Sequence, residues 1–248
     1  MFLSKIKRTK KVIPINKILV LNHKMNMLYD DVYDYINQLN NISTDMNIII
    51  CPSYIYLTDF VNHSDWGIGS QNVYHEANGA YTGEISTTQL RSIGVEYSLL
   101  GHYERTKYFH ESEVDTNQKL KACLEGNIIP IVCLQAQSND DKKTLTNKLD
   151  TILEDIDHIE FIIFAYEPTD AIGQNKTLQI DQIDETCTFI SEYLENKYHT
   201  RPNILYGGSV TNDNINDILA IDTIAGTLIG EKSSNYQYVT NLIDQIEK

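Results

Sequence analysis

Glu167 closes the run Phe161-Ile162-Ile163-Phe164-Ala165-Tyr166-Glu167 and is followed at once by Pro168. A β-branched and aromatic run of this kind reads as a buried strand, which the proline ends. The carboxylate is thereby carried to the C-terminal mouth of a strand, where parallel α/β folds place their chemistry. A loop containing Ala171-Ile172-Gly173 comes next, then a helical run. A carboxylate on a rigid strand, hinged to a flap, suits proton abstraction in a pocket that closes. Other polar residues recur at comparable places. His102 opens a short helix whose backbone N–H groups favour a neutral imidazole, able to donate a hydrogen bond to a substrate carbonyl. Lys24 supplies a fixed positive charge. Ser209 and Gly230 stand where N–H groups at helix starts can cradle a phosphate. The chain carries a net charge of −14, so an anionic substrate needs a locally positive pocket, and Lys24 provides one. Singly, each residue has an ordinary explanation: a solvated lysine, a satisfied histidine, a turn before a helix, an acid at a helix start. Their recurrence at five strand ends carries the inference.

Those side chains meet only if the strands converge. Apolar strand-like runs begin near Lys17, Met46, Trp66, Tyr97, Ile128, Phe161, Asn203 and Thr223. Helical period and charge fill stretches between them, such as Leu28–Leu39, Glu111–Leu124, Asp140–Ile156 and Leu178–Tyr198. Strands alternating with helices imply parallel pairing and right-handed crossovers. Eight units in 248 residues average about 31 residues each, the size of a βα repeat. The expectation is α/β, a single-domain (β/α)8 barrel over residues 17–248. The open doubly wound alternative lacks a Gly-x-Gly-x-x-Gly after the first strand.

Composition narrows the partners. An acidic chain with a pI near 4.8 suits neither nucleic acid nor anionic membranes. Residues 1–16 are the exception: Lys5, Lys7, Arg8, Lys10 and Lys11 precede any acid, and the segment reads as a flexible basic extension. The apolar stretch Ile18–Leu21 is too short for a secretory signal, and no run is long enough to span a bilayer. Cys51, Cys123, Cys133 and Cys187 have no metal-type spacing and read as reduced thiols of a cytoplasmic protein.

From Ile18 onward the chain resembles triosephosphate isomerase. The motifs are Asn22-His23-Lys24-Met25-Asn26, Gln71-Asn72-Val73-Tyr74, and the segment Gly79 to Ser86 that reads Gly-Ala-Tyr-Thr-Gly-Glu-Ile-Ser. They continue with Leu100-Gly101-His102-Tyr103-Glu104-Arg105, Ala165-Tyr166-Glu167-Pro168, Ala171-Ile172-Gly173 and Tyr206-Gly207-Gly208-Ser209, in family order and at family spacing. The resemblance implies a cofactor-free aldose–ketose isomerase of glycolysis and gluconeogenesis, interconverting dihydroxyacetone phosphate and glyceraldehyde 3-phosphate through an enediolate. The glutamate base, the neutral histidine and the closing loop are parts this family itself is known to use. Carried over, Glu167 moves the proton, while His102 and Lys24 stabilise the enediolate oxygens with help from Asn22. Glu104 is the acid beside Lys24 and His102. Gly173, Ser209, Gly230 and Glu231 contact the phosphate, and the lid is Pro168, Thr169, Asp170, Ala171, Ile172, Gly173, Gln174, Asn175 and Lys176. The resemblance also implies a homodimer in which the loop Tyr74–Ser86 reaches into the neighbour's pocket and Thr82 touches its Asn22/His102 region.

The chain departs from that pattern in places. Tyr103 stands where the family has serine, so the larger ring must find room or point away. The lid starts Pro168-Thr169-Asp170 in place of Pro-Val-Trp, and Asn175 replaces a lid glycine. Gln135-Ala136 replaces Gly-Glu, which spares Asp170 a facing carboxylate. Glu231 replaces a glycine; a carboxylate about 4 Å from a phosphate costs on the order of 4 kcal/mol at an effective dielectric near 20. Its side chain is therefore expected to turn to solvent or pair with Lys232. Tyr103, Asp170 and Glu231 motivate a rival reading, an isomerase of a larger ketose phosphate such as a tetrulose phosphate. A non-catalytic binding barrel is a further reading; it predicts the loss of Lys24, His102 or Glu167, all of which are present.

Overall fold

A computed structural model describes residues 17–137, 142–169 and 178–247. The basic segment 1–16 and Asp170, Ala171, Ile172, Gly173, Gln174, Asn175 and Lys176 of the expected lid lie outside the described residues.

Eight parallel strands close on themselves in sequence order. They are β1 (Ile18–Asn22), β2 (Asn47–Cys51), β3 (Gly67–Ser70), β4 (Tyr97–Leu100), β5 (Ile129–Ala136), β6 (Ile163–Pro168), β7 (Asn203–Tyr206) and β8 (Ile224–Ile229). The helices among the described residues are α1 (Tyr29–Asn40), α2 (Leu57–His63), α3 (Thr87–Ile93), α4 (Tyr103–Phe109), α5 (Glu113–Glu125), α6 (Lys142–Ile152), α7 (Ile180–Tyr198), α8 (Ile215–Leu219) and α9 (Tyr236–Ile246). The expected (β/α)8 barrel is the observed fold. Each strand lies close to its expected start, and Pro168 is the last residue of β6, where its missing N–H costs no ladder bond.

Strand periodicity explains how the barrel delivers its polar residues. Successive side chains alternate between faces, so each strand feeds two cores. Ile18, Val20, Ile49, Cys51, Tyr97, Leu99, Ile131, Cys133, Ile163, Ala165, Leu205 and Leu228 fill the barrel interior. Leu19, Leu21, Ile48, Ile50, Leu100, Val132, Leu134, Phe164, Tyr166 and Ile229 pack outward against the helices. Continuing the inward parity one step past the apolar layer reaches Asn22 on β1, Gln135 on β5, Glu167 on β6 and Gly230 after β8. The hydrophobic pattern thus dictates which residues point into the mouth.

Local signals set the helix starts. Ser86 and Ser112 accept hydrogen bonds from the N–H groups of Gln89 and Asp115, and those side chains bond back to the serine N–H groups. Such capping boxes satisfy donors a helix end leaves open, contributing about 1 kcal/mol each. All four cysteines are buried and unbridged, and burial raises their thiol pKa values. No described helix is long and apolar enough to cross a membrane.

Candidate active site

β1 ends in a strained turn. Lys24 adopts φ 53°, in the left-handed region that costs an L-residue about 1–2 kcal/mol. Four polar contacts hold it there. The Lys24 N–H donates to Asn22 Oδ1 at 3.0 Å. Its carbonyl accepts from Gln71 Nε2 at 2.8 Å and Ser53 Oγ at 3.0 Å, while its Nζ reaches Glu104 Oε1 at 2.7 Å. Asn22 itself is buried, so its amide fixes the lysine backbone in place.

β4 delivers the imidazole. His102 is the N-cap of α4, and its Nδ1 accepts the Glu104 N–H at 3.3 Å. A nitrogen that accepts carries no proton, so the ring proton sits on Nε2. Nε2 lies 3.2 Å from Glu167 Oε1. The other carboxylate oxygen, Oε2, accepts the Tyr103 N–H at 3.0 Å. Glu104 Oε2 stands 3.6 Å from His102 Nδ1, too far for a hydrogen bond. Glu167 is only 1% exposed, and an ion so buried needs these donors. Beneath it, burial above all and then the Glu167 carboxylate hold the Cys133 thiol protonated.

β8 leads into the turn expected to meet the phosphate. Gly230 caps a 3-10 turn, Glu231–Ser234. A Cβ built on Gly230 would lie 3.1 Å from Lys24 Cε and 3.4 Å from its Nζ, so the lysine chain lies directly across this glycine. The ammonium of β1 and the open turn after β8 therefore share one small region. The Tyr35 hydroxyl on α1 braces that turn through the Ser233 carbonyl at 2.6 Å.

Most expected residues come together. Lys24, Glu104, His102 and Glu167 form one continuous chain of contacts, with Asn22 behind Lys24 and Gly230 beside it. Glu231 is exposed, as expected; Lys232 does not pair with it but places its ammonium 5.3 Å over the Tyr238 ring. Tyr103 finds room with its ring half-buried under the Lys107 ammonium, 5.3 Å from the centroid. Ser209 needs a correction. It does not open a helix, because α8 begins only at Ile215. The Asn214 side chain accepts the Thr211 N–H at 2.8 Å and donates to the Ser209 carbonyl at 3.1 Å, folding the intervening residues into a loop. Thr82 is exposed on the loop closed by the Tyr74–Ser86 bridge. Pro168 and Thr169 are the described residues of the expected lid, and the Thr169 N–H donates to the Ala136 carbonyl at 2.8 Å. Gly173 lies outside the described residues.

Reading residue types missed Gln71, Ser53 and the Tyr103 N–H. The first two act on a carbonyl and the third is backbone, so none advertises its role by its own type. Gln71 did lie inside a quoted motif, which was the only available signal.

The comparisons with known proteins agree with this geometry. The sequence model of the triosephosphate isomerase family matches residues 17–246. A curated triosephosphate isomerase of Clostridium botulinum (strain Loch Maree / Type A3) is 34% identical over 232 residues, 87% of this chain and 94% of its own. That of Mycoplasma mobile is 31% identical over 242 residues, covering 92% and 98%. That of Ehrlichia chaffeensis is 36% identical over 199 residues, covering 79% and 80%. A closed barrel whose mouth gathers Lys24, His102 and Glu167, matched along nearly its whole length, belongs to the triosephosphate isomerase family.

Proposed function

We propose that this barrel interconverts dihydroxyacetone phosphate and glyceraldehyde 3-phosphate, without metal or cofactor, by moving one proton between adjacent carbons. Glu167 takes the proton from the hydroxymethyl carbon of the ketose, and the bond electrons pass into an enediolate. His102 Nε2–H and the Lys24 ammonium face the two oxygens on which that charge develops. A proton passes from the hydroxyl oxygen of the first carbon to the former carbonyl oxygen, relayed by His102 Nε2, which gives up its proton to one oxygen and regains one from the other; Glu167 then returns its proton to the neighbouring carbon, giving the aldose. The N–H groups of the Gly230 turn and the Lys24 ammonium hold the phosphate, joined by Ser209 and Gly173. Glu231 contributes its backbone N–H, and its exposed carboxylate stays in water. Asp170 to Lys176 close over the substrate.

The observation that carries the reading is the contact between Glu167 and His102 Nε2 at 3.2 Å, with the proton placed on Nε2 by the Glu104 N–H. A base and a neutral donor in touch, beside one ammonium, are what enolisation requires. No observation favours the larger ketose phosphate. Tyr103 gives Glu167 only its N–H, and Glu231 faces solvent.

The same reading makes the protein a cytoplasmic homodimer with a weakly active monomer. Met25, Leu28, Ile55, Tyr108 and Phe109 are exposed apolar side chains on the segments after β1, β2 and β4, an arrangement that supports association. Thr82 is the residue that reaches the neighbour's site.

A coupled assay on glyceraldehyde 3-phosphate, with and without 2-phosphoglycolate, tests the reading. Turnover with competitive inhibition is expected. A higher kcat/KM on a tetrulose phosphate would overturn it.

A further inference from the structure

Gln135 sits directly across the sheet from Glu167, in register with it on the neighbouring strand. Its side-chain amide donates twice, to the Gly101 carbonyl at 2.5 Å and to Thr106 Oγ1 at 2.8 Å. Those two acceptors bracket the first turn of α4. Gly101 immediately precedes His102 and holds φ +64°, where a Cβ would meet Thr116 Oγ1 at 2.8 Å. Thr106 closes the same turn, its N–H donating to the His102 carbonyl at 3.3 Å. Between the two lie the α4 groups that face Glu167: the Tyr103 N–H, which donates to its Oε2, and the His102 ring, whose Nε2 stands 3.2 Å from its Oε1. Gln135 is itself anchored from outside, because its carbonyl accepts Lys148 Nζ of α6 at 2.8 Å.

We propose that Gln135 is a positioning residue for the proton transfer, resting on the isomerase reading above. The base hangs on β6 and its two donors hang on the first turn of α4. β5 lies between them, and the Gln135 amide is the side-chain link that fixes the α4 turn to β5. A seven-residue helix cannot hold its own register well, since helix formation is costly at that length. Without the brace the His102 ring and the Tyr103 N–H shift relative to Glu167, while the phosphate turn after β8 stays where it is. Gln135 touches neither substrate nor reacting atoms, so its loss lowers turnover and leaves phosphate binding alone.

The test compares Gln135→Met, which keeps the length without hydrogen bonds, with Gln135→Glu, whose ionised carboxylate cannot donate to the Gly101 carbonyl. Thr106→Val removes one acceptor at an exposed residue and keeps the test open should a Gln135 variant fail to fold. A misplacement of about 1 Å costs roughly 100-fold, so a partial shift in Gln135→Met is expected to lower kcat about tenfold with KM within twofold. Gln135→Glu falls further, and Thr106→Val falls about threefold, on the same reasoning. Affinity for 2-phosphoglycolate, which mimics the enediolate, weakens in step with kcat, whereas affinity for inorganic phosphate does not change. An unchanged kcat in folded Gln135→Met or in Thr106→Val overturns the proposal. So does a parallel loss of phosphate affinity, or a fall in thermal midpoint with kcat intact. If the unaltered chain does not turn over triose phosphates, the isomerase reading fails, which is a separate result.

Discussion

Two imidazoles are buried at the rim of this barrel, and they live in opposite surroundings. His102, after β4, accepts a backbone N–H on one nitrogen and faces a carboxylate with the other. His23, after β1, has no hydrogen-bond partner for either ring nitrogen among the described residues. It packs edge-on against Tyr35 at 4.7 Å and Phe60 at 5.6 Å, and burial pushes its pKa down from 6.5 to about 3. Both rings are hidden from solvent. Only the one with polar partners can hold a proton on a chosen atom and offer it to a reacting oxygen. Burial by itself makes a packing group; directed donors make a catalyst.

The sharpest way to break the contrast is to give the β4 pocket the character of the β1 pocket. His102→Phe keeps a ring and removes the donor. Loss of one such donor costs about 100- to 1,000-fold in kcat, or about 2.7–4 kcal/mol, and steady-state kinetics on a variant with an unchanged circular dichroism spectrum reads it. An activity within threefold of the unaltered chain would place His102 beside His23 as mere packing.

The reverse change sharpens the contrast through pH. His23 stays neutral in the fold down to about pH 3, while in the unfolded chain it takes up a proton below about 6.5. Its folded pKa is depressed, so it contributes no penalty above about pH 7.5 and destabilises the fold as pH falls through 6.5. The loss is about 2 kcal/mol by pH 5. His23→Phe removes that loss, and denaturant titrations at pH 8 and pH 5 should show a smaller difference than in the unaltered chain. An identical difference would remove His23 as its source.

The smallest effect concerns the phosphate side. In Gly230→Ala the new methyl presses on Lys24 Cε, and the lysine must move by a few tenths of an ångström. A strain of about 1 kcal/mol weakens 2-phosphoglycolate roughly fivefold, measurable by calorimetry.

The sequence made the scaffold plain for a physical reason. Runs such as Ile18–Asn22 and Ile163–Glu167 are β-branched, apolar and bounded by turn residues, so type and position speak together. Glu167 was legible because it interrupts such a run at its last inward position. The long helices α5 and α7 carry enough turns to show a period; α3 and α8, with seven and five residues, do not. What stayed hidden was chemistry done by backbone. The Tyr103 N–H on Glu167 and the carbonyl of Lys24 gripped by Gln71 and Ser53 belong to no residue type. The helix expected at Ser209 starts later, because the Ser209 and Val210 carbonyls accept the Asn214 amide and the Tyr238 hydroxyl, and the first helical turn begins on the Thr211 carbonyl, which accepts the Asn214 and Ile215 N–H groups. Gln135 could be seen to differ from the family's glycine, but its reach to Gly101 and Thr106 needed the closed barrel.

The most direct measurement is the fate of one hydrogen. Dihydroxyacetone phosphate is incubated with the protein in deuterated water, and the glyceraldehyde 3-phosphate formed is examined for deuterium on the carbon beside the aldehyde. Rapid turnover with deuterium incorporated there is expected, together with a kcat roughly 100-fold lower in Glu167→Asp, whose carboxylate is drawn back by about one methylene. Full turnover in Glu167→Asp, or product formed by the unaltered chain with no solvent deuterium at that carbon under any condition, would contradict Glu167 as the base that exchanges its proton.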